Sequence, residues 1–174
     1  MAVSRSWKRP AALVAGASLT ASALVAAPAG AAPSPLLQCR GTESTTYDPT
    51  VVLQPRDVDV TVDGSLSSCA GGGVTSGAYG ERFTLHAGCT NLLDDFQDLR
   101  TFTWNTGDSS VAAVRGTTDA VAGQVITTIT GTVVQGRYQG RGVVQVITLP
   151  QPDLLRCFTT GLRGATGVTT LTIA

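Results

Sequence analysis

Between Asp57 and Asp63 every second residue is a valine: Val58, Val60 and Val62 alternate with Asp57, Asp59, Thr61 and Asp63. Successive side chains of an extended strand point to opposite faces. A period of two therefore predicts a strand that buries the valines and leaves the carboxylates in water. The pattern recurs along the chain. Arg82 to His86 predicts a strand with Phe83 and Leu85 on one face. Leu99 to Trp104 sets Arg100, Phe102 and Trp104 against Thr101 and Thr103, with Trp104 as a core anchor. Near the end, Val168, Thr170 and Thr172 oppose Thr169, Leu171 and Ile173.

Turn signals separate these segments. Asp48-Pro49 precedes a short β segment at Val51 to Leu53, and Asp63-Gly64 closes the valine strand. Gly71-Gly72-Gly73 and Ser76-Gly77 mark a flexible loop, and Asn105-Thr106-Gly107-Asp108 a turn. Asn91 to Asp98 reads as a loop with at most one helical turn. The clearest element is a hairpin, Gln124 to Val134 and Arg137 to Leu149, joined through Gln135-Gly136. Glycine there supplies the positive φ of a tight hairpin turn, and Pro150 and Pro152 stop the second strand.

The composition agrees with strands. Thr, Val, Gly and Ser dominate, whereas Lys and Glu, the usual surface helix formers, are scarce. No helix-length apolar period lies between the strands, which argues against a parallel α/β sheet. About eight short strands with turns between them predict an all-β fold, an antiparallel Ig-like sandwich with Greek-key connections.

The first residues carry an export signal. Arg5, Lys8 and Arg9 form a basic region, Ala11 to Val25 is uncharged and apolar, and Ala27 to Ala32 is a small-residue cleavage zone. The run of about 15 apolar residues is shorter than the roughly 20 of a membrane span. The expected division is a signal peptide at 1–31, a flexible Pro-rich leader at 32–38 and a single domain at 39–174, secreted, with no membrane insertion after cleavage. Beyond residue 31, nine arginines face twelve carboxylates and no lysine remains. A mildly acidic domain with scattered arginines has no basic face for nucleic acid.

Four cysteines remain: Cys39, Cys69, Cys89 and Cys157. An even count in an exported chain predicts two disulfides. Zinc ligands usually come in close pairs, whereas these lie 20 to 68 residues apart. Three connectivities are open, and Cys39–Cys69 with Cys89–Cys157 is taken as the expectation. Each link would contribute about 3 to 4 kcal/mol in the chain-entropy model.

Several motifs together resemble small secreted β-sandwich proteins of actinomycetes, a group of unknown function. They are Cys39-Arg40-Gly41, the segment Pro49 to Leu53, Ser68-Cys69, Cys89 to Leu93, Trp104 with Gly107 and Ser109, Gly131 to Gly140, and the late Cys157. The resemblance covers nearly the whole domain and implies no catalytic residues. Enediyne-carrying apoproteins also have two disulfides, but theirs close short loops. Tyr47-Asp48-Pro49 matches subtilisin inhibitors in letters only, since the nearest cysteine, Cys39, is too distant to brace it.

Chemistry is hard to assemble from these residues. His86 is the only histidine, and Leu85 to Cys89 with Gly107-Asp108-Ser109 echoes a serine protease. The two pieces lie about 20 residues apart, with no oxyanion-hole glycines and no nucleophile elbow. Asn91, Asp94, Asp95 and Asp98 form the densest oxygen cluster, a candidate calcium loop without the spacing of a known one. No phosphate, flavin or nicotinamide fingerprint is present, so no cofactor is expected. The reading is a non-enzymatic extracellular binding or structural module. Its partner would be an extracellular protein or cell-wall glycan, met through Gly71 to Gly80 and Asn91 to Asp98. The alternatives are an inhibitor of secreted proteases and, third, a hydrolase with an unrecognised site.

Overall fold

Eight antiparallel strands follow one another in chain order around a closed barrel. They are β1 (Leu37–Val51), β2 (Arg56–Gly71), β3 (Gly77–Ala87), β4 (Phe96–Trp104), β5 (Ser109–Val121), β6 (Gln124–Gly136), β7 (Gly142–Pro150) and β8 (Leu162–Ile173). One short helix, α1 (Leu154–Cys157), lies between β7 and β8. This computed structural model describes residues 35–91, 95–151 and 154–174. The expected signal peptide lies outside the described residues, as does Asp94.

The chain is all-β and antiparallel, but the expected Ig-like Greek-key sandwich is not its architecture. Every strand pairs with its sequence neighbours, and β1 closes the ring by pairing with β8 from Leu37↔Ile173 to Val51↔Leu162. One-sided alternation is common to both folds: it requires an inner face, and either two facing sheets or one closed sheet provides that. Closure also removes the exposed sheet edges that a sandwich keeps, except where β3 and β4 pair over only three positions. The strands are correspondingly long, nine to sixteen residues each.

Several expected boundaries shift. Leu37 and Gln38, placed in the leader, begin β1, and Leu37 is fully buried. The β6–β7 turn lies at Arg137 to Arg141, just beyond Gln135-Gly136. β5, which the turn signals did not announce, pairs with β6 along its whole length. Asp63-Gly64 does not end β2. Gly64 stays in the ladder opposite Tyr79, and a Cβ there would stand 2.0 Å from the Tyr79 ring. The glycine makes room for an aromatic ring inside the barrel rather than turning the chain.

Both disulfides pair as expected, Cys39–Cys69 and Cys89–Cys157. A bulge makes the first possible. Val58, Val60, Val62 and Leu66 put the even positions of β2 inward. The extra residue between the Arg40↔Ser68 and Thr42↔Ser65 pairs reverses that parity and sets Cys69 directly opposite Cys39. The second disulfide ties the segment after β3 to α1. Two disulfides fit an oxidising compartment, and no described helix is long and apolar enough to cross a membrane.

The main core packs Leu37, Leu66, Phe102, Trp104, Val133, Val143, Leu171 and Ile173 at one end of the barrel and continues through Val60, Val62, Ile129 and Ile147. A second, smaller cluster of Val51, Val58, Cys157 and Leu162 lies at the other end. The rings of Tyr79, Phe102, Trp104 and Tyr138 follow one another at centroid spacings of 5.6 to 5.9 Å. Trp104 is the anchor that its alternation predicts: it is buried, and its Nε1 donates to Ser110 Oγ at 2.9 Å.

Candidate functional site

Above this core a layer of polar side chains crosses the barrel. Glu43 enters from β1, Tyr79 and Glu81 from β3, Arg100 from β4, Gln145 from β7 and Thr169 from β8. All stand at inward positions of their strands, and Glu43, Arg100, Gln145 and Thr169 are buried. Arg100 is bidentate on Glu81: its Nε donates to Oε1 at 2.6 Å and its Nη2 to Oε2 at 2.9 Å. Its Nη1 donates to Gln145 Oε1 at 2.9 Å, and Gln145 Nε2 donates to Thr169 Oγ1 at 2.9 Å. The Tyr79 hydroxyl donates to Glu43 Oε2 at 2.7 Å and lies 3.4 Å from Thr169 Oγ1. The guanidinium stands 5.0 Å over the Tyr79 ring, within cation–π range.

The Arg100–Glu81 pair has a second position-dependent role. β3 and β4 share only three ladder positions, Gly77↔Trp104, Ala78↔Thr103 and Tyr79↔Phe102. Beyond Tyr79 the two strands no longer pair, and the ion pair joins them where the backbone ladder ends. Past that point Phe83 and Leu85 remain 44% and 37% exposed although they point inward.

A cavity of about 550 Å³ opens above the belt. Its walls include Tyr47, Val60, Val62, Phe96, Ile147 and Leu149, and Glu43, Glu81 and Arg100 form its polar floor. A volume of this size lies in the range of small-molecule sites, and barrel mouths are a recurring location for them. Gly116 helps to define the wall, because a Cβ there would stand 2.3 Å from the Phe96 ring.

Burial controls the floor's electrostatics. Desolvation pushes the Glu43 carboxyl above the ordinary glutamate range; the Tyr79 hydrogen bond and the Arg100 charge oppose that shift without cancelling it. Desolvation also raises the Tyr79 and Tyr47 phenols, and the charge of Glu43 adds to both shifts. For Arg100, burial works against the charge, but the hydrogen bonds and charge of Glu81 outweigh it and raise its pKa. A buried carboxyl facing an apolar cavity is the kind of group found at functional sites.

Of the residues singled out from sequence, the protease-like set lies elsewhere and the described part of the acidic loop borders the cavity. His86 lies near the far end of β3, its Nδ1 2.8 Å from Asp57 Oδ1, both side chains exposed. Ser109 pairs with Thr103, and Thr103 pairs with Ala78. Ser109 is thus level with Ala78, eight residues along β3 from His86, or roughly 26 Å at a strand's rise. The protease echo does not converge. Asp95 and Asp98 line the cavity mouth, with Asp98 Oδ1 accepting from Leu99 N at 2.7 Å. Among the described residues no three His, Cys, Asp or Glu side chains are grouped to hold a metal. Of the two expected contact loops, the described part of Asn91 to Asp98 borders the mouth. The turn after Gly71 belongs to the filled end, where Gly72 O accepts from the Tyr138 hydroxyl at 2.8 Å.

The floor residues were not named as site candidates, although a signal existed. The chain has only two glutamates, Glu43 and Glu81, and both are on the inward parity of their strands. No family model, curated protein or solved structure matches this chain.

Proposed function

We propose that this is a secreted, non-enzymatic binding protein that carries a small, largely apolar molecule inside its barrel. The observation that carries this reading is the cavity: about 550 Å³, walled mainly by apolar side chains and floored by a polar belt. An eight-stranded barrel has an interior that side chains just fill or that holds one small ligand. Here the lower half is filled and the upper half holds the cavity. Apolar walls supply affinity through surface removed from water, and a few fixed polar groups supply orientation. This replaces a large extracellular partner with a small one, and assigns the loops at the mouth to access rather than to docking.

The test is binding of the neutral, solvatochromic dye Nile red to the oxidised protein. We expect a blue-shifted, enhanced emission that saturates at one dye per chain, with a Kd on the order of micromolar. Thr127 lines the cavity, and Thr127→Trp would fill it. Loss of the signal in that variant, with the far-UV spectrum unchanged, supports the reading. Equal dye binding by the filled variant, or no saturable binding by the native protein, overturns it.

A further inference from the structure

The charges around the cavity do not balance. Of the described residues that line it, Glu43, Glu81, Asp95 and Asp98 carry carboxylates and only Arg100 carries a basic group. That guanidinium is committed. Two of its hydrogen bonds go to Glu81 and a third to Gln145. Glu43 is 5% exposed and lines the same cavity. It accepts a hydrogen bond from Tyr79, a neutral phenol; Thr45 and the Arg100 charge also act on it, but among the described residues it forms no ion pair.

We propose that the ligand is an amphiphilic amine, entering with its cationic head down and seating the ammonium against Glu43 on the floor. This rests on the small-molecule reading above and adds the chemistry of the head group. An ionised carboxylate removed from water needs an opposite charge beside it. The ammonium supplies that charge and donates hydrogen bonds to the carboxylate, and a charge-assisted bond is stronger than a neutral one. A ligand carboxylate would meet Glu43 with no uncommitted cation on the floor to offset the repulsion. An alcohol can bond to Glu43 but leaves its charge offset only by Arg100, whose hydrogen bonds go to Glu81 and Gln145. Asp95 and Asp98 at the mouth extend the same sign outward and favour the approach of a cation.

The experiment is displacement of Nile red at pH 7 by decylamine, 1-decanol and decanoate, which share one chain and differ in the head. Decylamine should bind about tenfold or more tighter than 1-decanol, the scale of one charge-assisted hydrogen bond, and decanoate should bind weakest. Glu43→Gln should reduce decylamine affinity by about tenfold and leave 1-decanol within about twofold. Decanoate binding as tightly as decylamine overturns the proposal, as does decylamine no tighter than 1-decanol, or an unchanged ratio in the variant. The rank order in the native protein is a test in its own right, so the proposal stays falsifiable if Glu43→Gln does not fold. Failure of Nile red to bind would remove the cavity reading itself. Dye binding with the wrong head-group order would remove only the amine.

Discussion

The two halves of the barrel interior are built from the same strands and the same alternation, yet one is packed and the other is hollow. Below the polar belt the inward positions hold Leu37, Leu66, Phe102, Trp104 and Ile173. Above it they hold a mixture of large and small side chains, among them Tyr47, Val60, Phe83, Phe96, Thr127 and Ile147, around the cavity. The backbone changes at the same level: the β3–β4 ladder ends at Tyr79↔Phe102, and beyond it the Arg100–Glu81 ion pair links the two strands. Strand number sets the barrel's width, and past the end of the β3–β4 ladder the inward side chains leave part of that width unfilled. The upper half keeps its own small core of Val51, Val58, Cys157 and Leu162 beside the Cys89–Cys157 disulfide, and the cavity lies between that core and the belt.

The sharpest way to break this comparison is to truncate one aromatic in each half. Phe102 is fully buried against Tyr79 and Trp104. Phe102→Ala should destabilise the protein by about 3–5 kcal/mol, the usual cost of emptying a packed phenylalanine site. Phe83 points inward in the hollow half and is 44% exposed, so Phe83→Ala should change stability by less than about 1 kcal/mol. It should instead weaken Nile red binding. Urea unfolding midpoints of the two variants measure the difference. Equal losses would mean that the upper half is not the looser one.

A second variant tests the join between the halves. Gly64 lies under the Tyr79 ring, and Gly64→Ala would place a methyl 2.0 Å from it. The ring must move, and its hydroxyl must move away from Glu43 with it. Overpacking of this kind typically costs about 1–3 kcal/mol. The accompanying sign should be a change in the near-UV tyrosine signal. A variant as stable as the native protein would show that the ring has room the structure does not provide.

How far the sequence reveals all this depends on which physical signal each feature leaves. Alternation placed Val58, Val60, Val62, Phe102 and Trp104 on an inner face, and the inner face is where they are. It left open whether that face belongs to two sheets or to one closed ring, because closure is a property of how β1 meets β8, more than a hundred residues apart in the chain. Gly64 read as a turn because glycine's backbone freedom and its lack of volume look the same in a sequence; only the opposing Tyr79 distinguishes them. The four cysteines gave their pairing as one of three options, and the bulge that selects it has no composition signal. The floor was hidden for a related reason. Glu43, Glu81 and Gln145 come from three strands and each alone reads as a polar residue on an outer face, whereas Arg100 already shared the face of Phe102 and Trp104. Their inward parity with Cys39, Tyr79, Phe102 and Val143 was the available clue.

The smallest expected effect is also the most specific to the boundary between the halves. Glu43 is held above its ordinary pKa of 4.5, chiefly by burial. A carboxyl with a raised folded pKa keeps its proton more tightly in the native state than in the unfolded chain. The native state is penalised as pH rises from the unfolded value through the raised one, and no penalty exists below both. Glu43→Gln removes the titrating group while keeping an oxygen for the Tyr79 hydroxyl to donate to. The variant should match the native protein near pH 4 and become the more stable of the two toward pH 7, by about 1.4 kcal/mol for each pKa unit of the shift. Thermal melts across that range measure the divergence. If the native protein were instead the more stable at pH 7, the ionised carboxylate would have a counter-charge on the floor. The hollow half would then be electrostatically complete without a ligand. A saturating amine should produce that same reversal in the native protein, because it supplies the missing charge from outside and stabilises only the folded state.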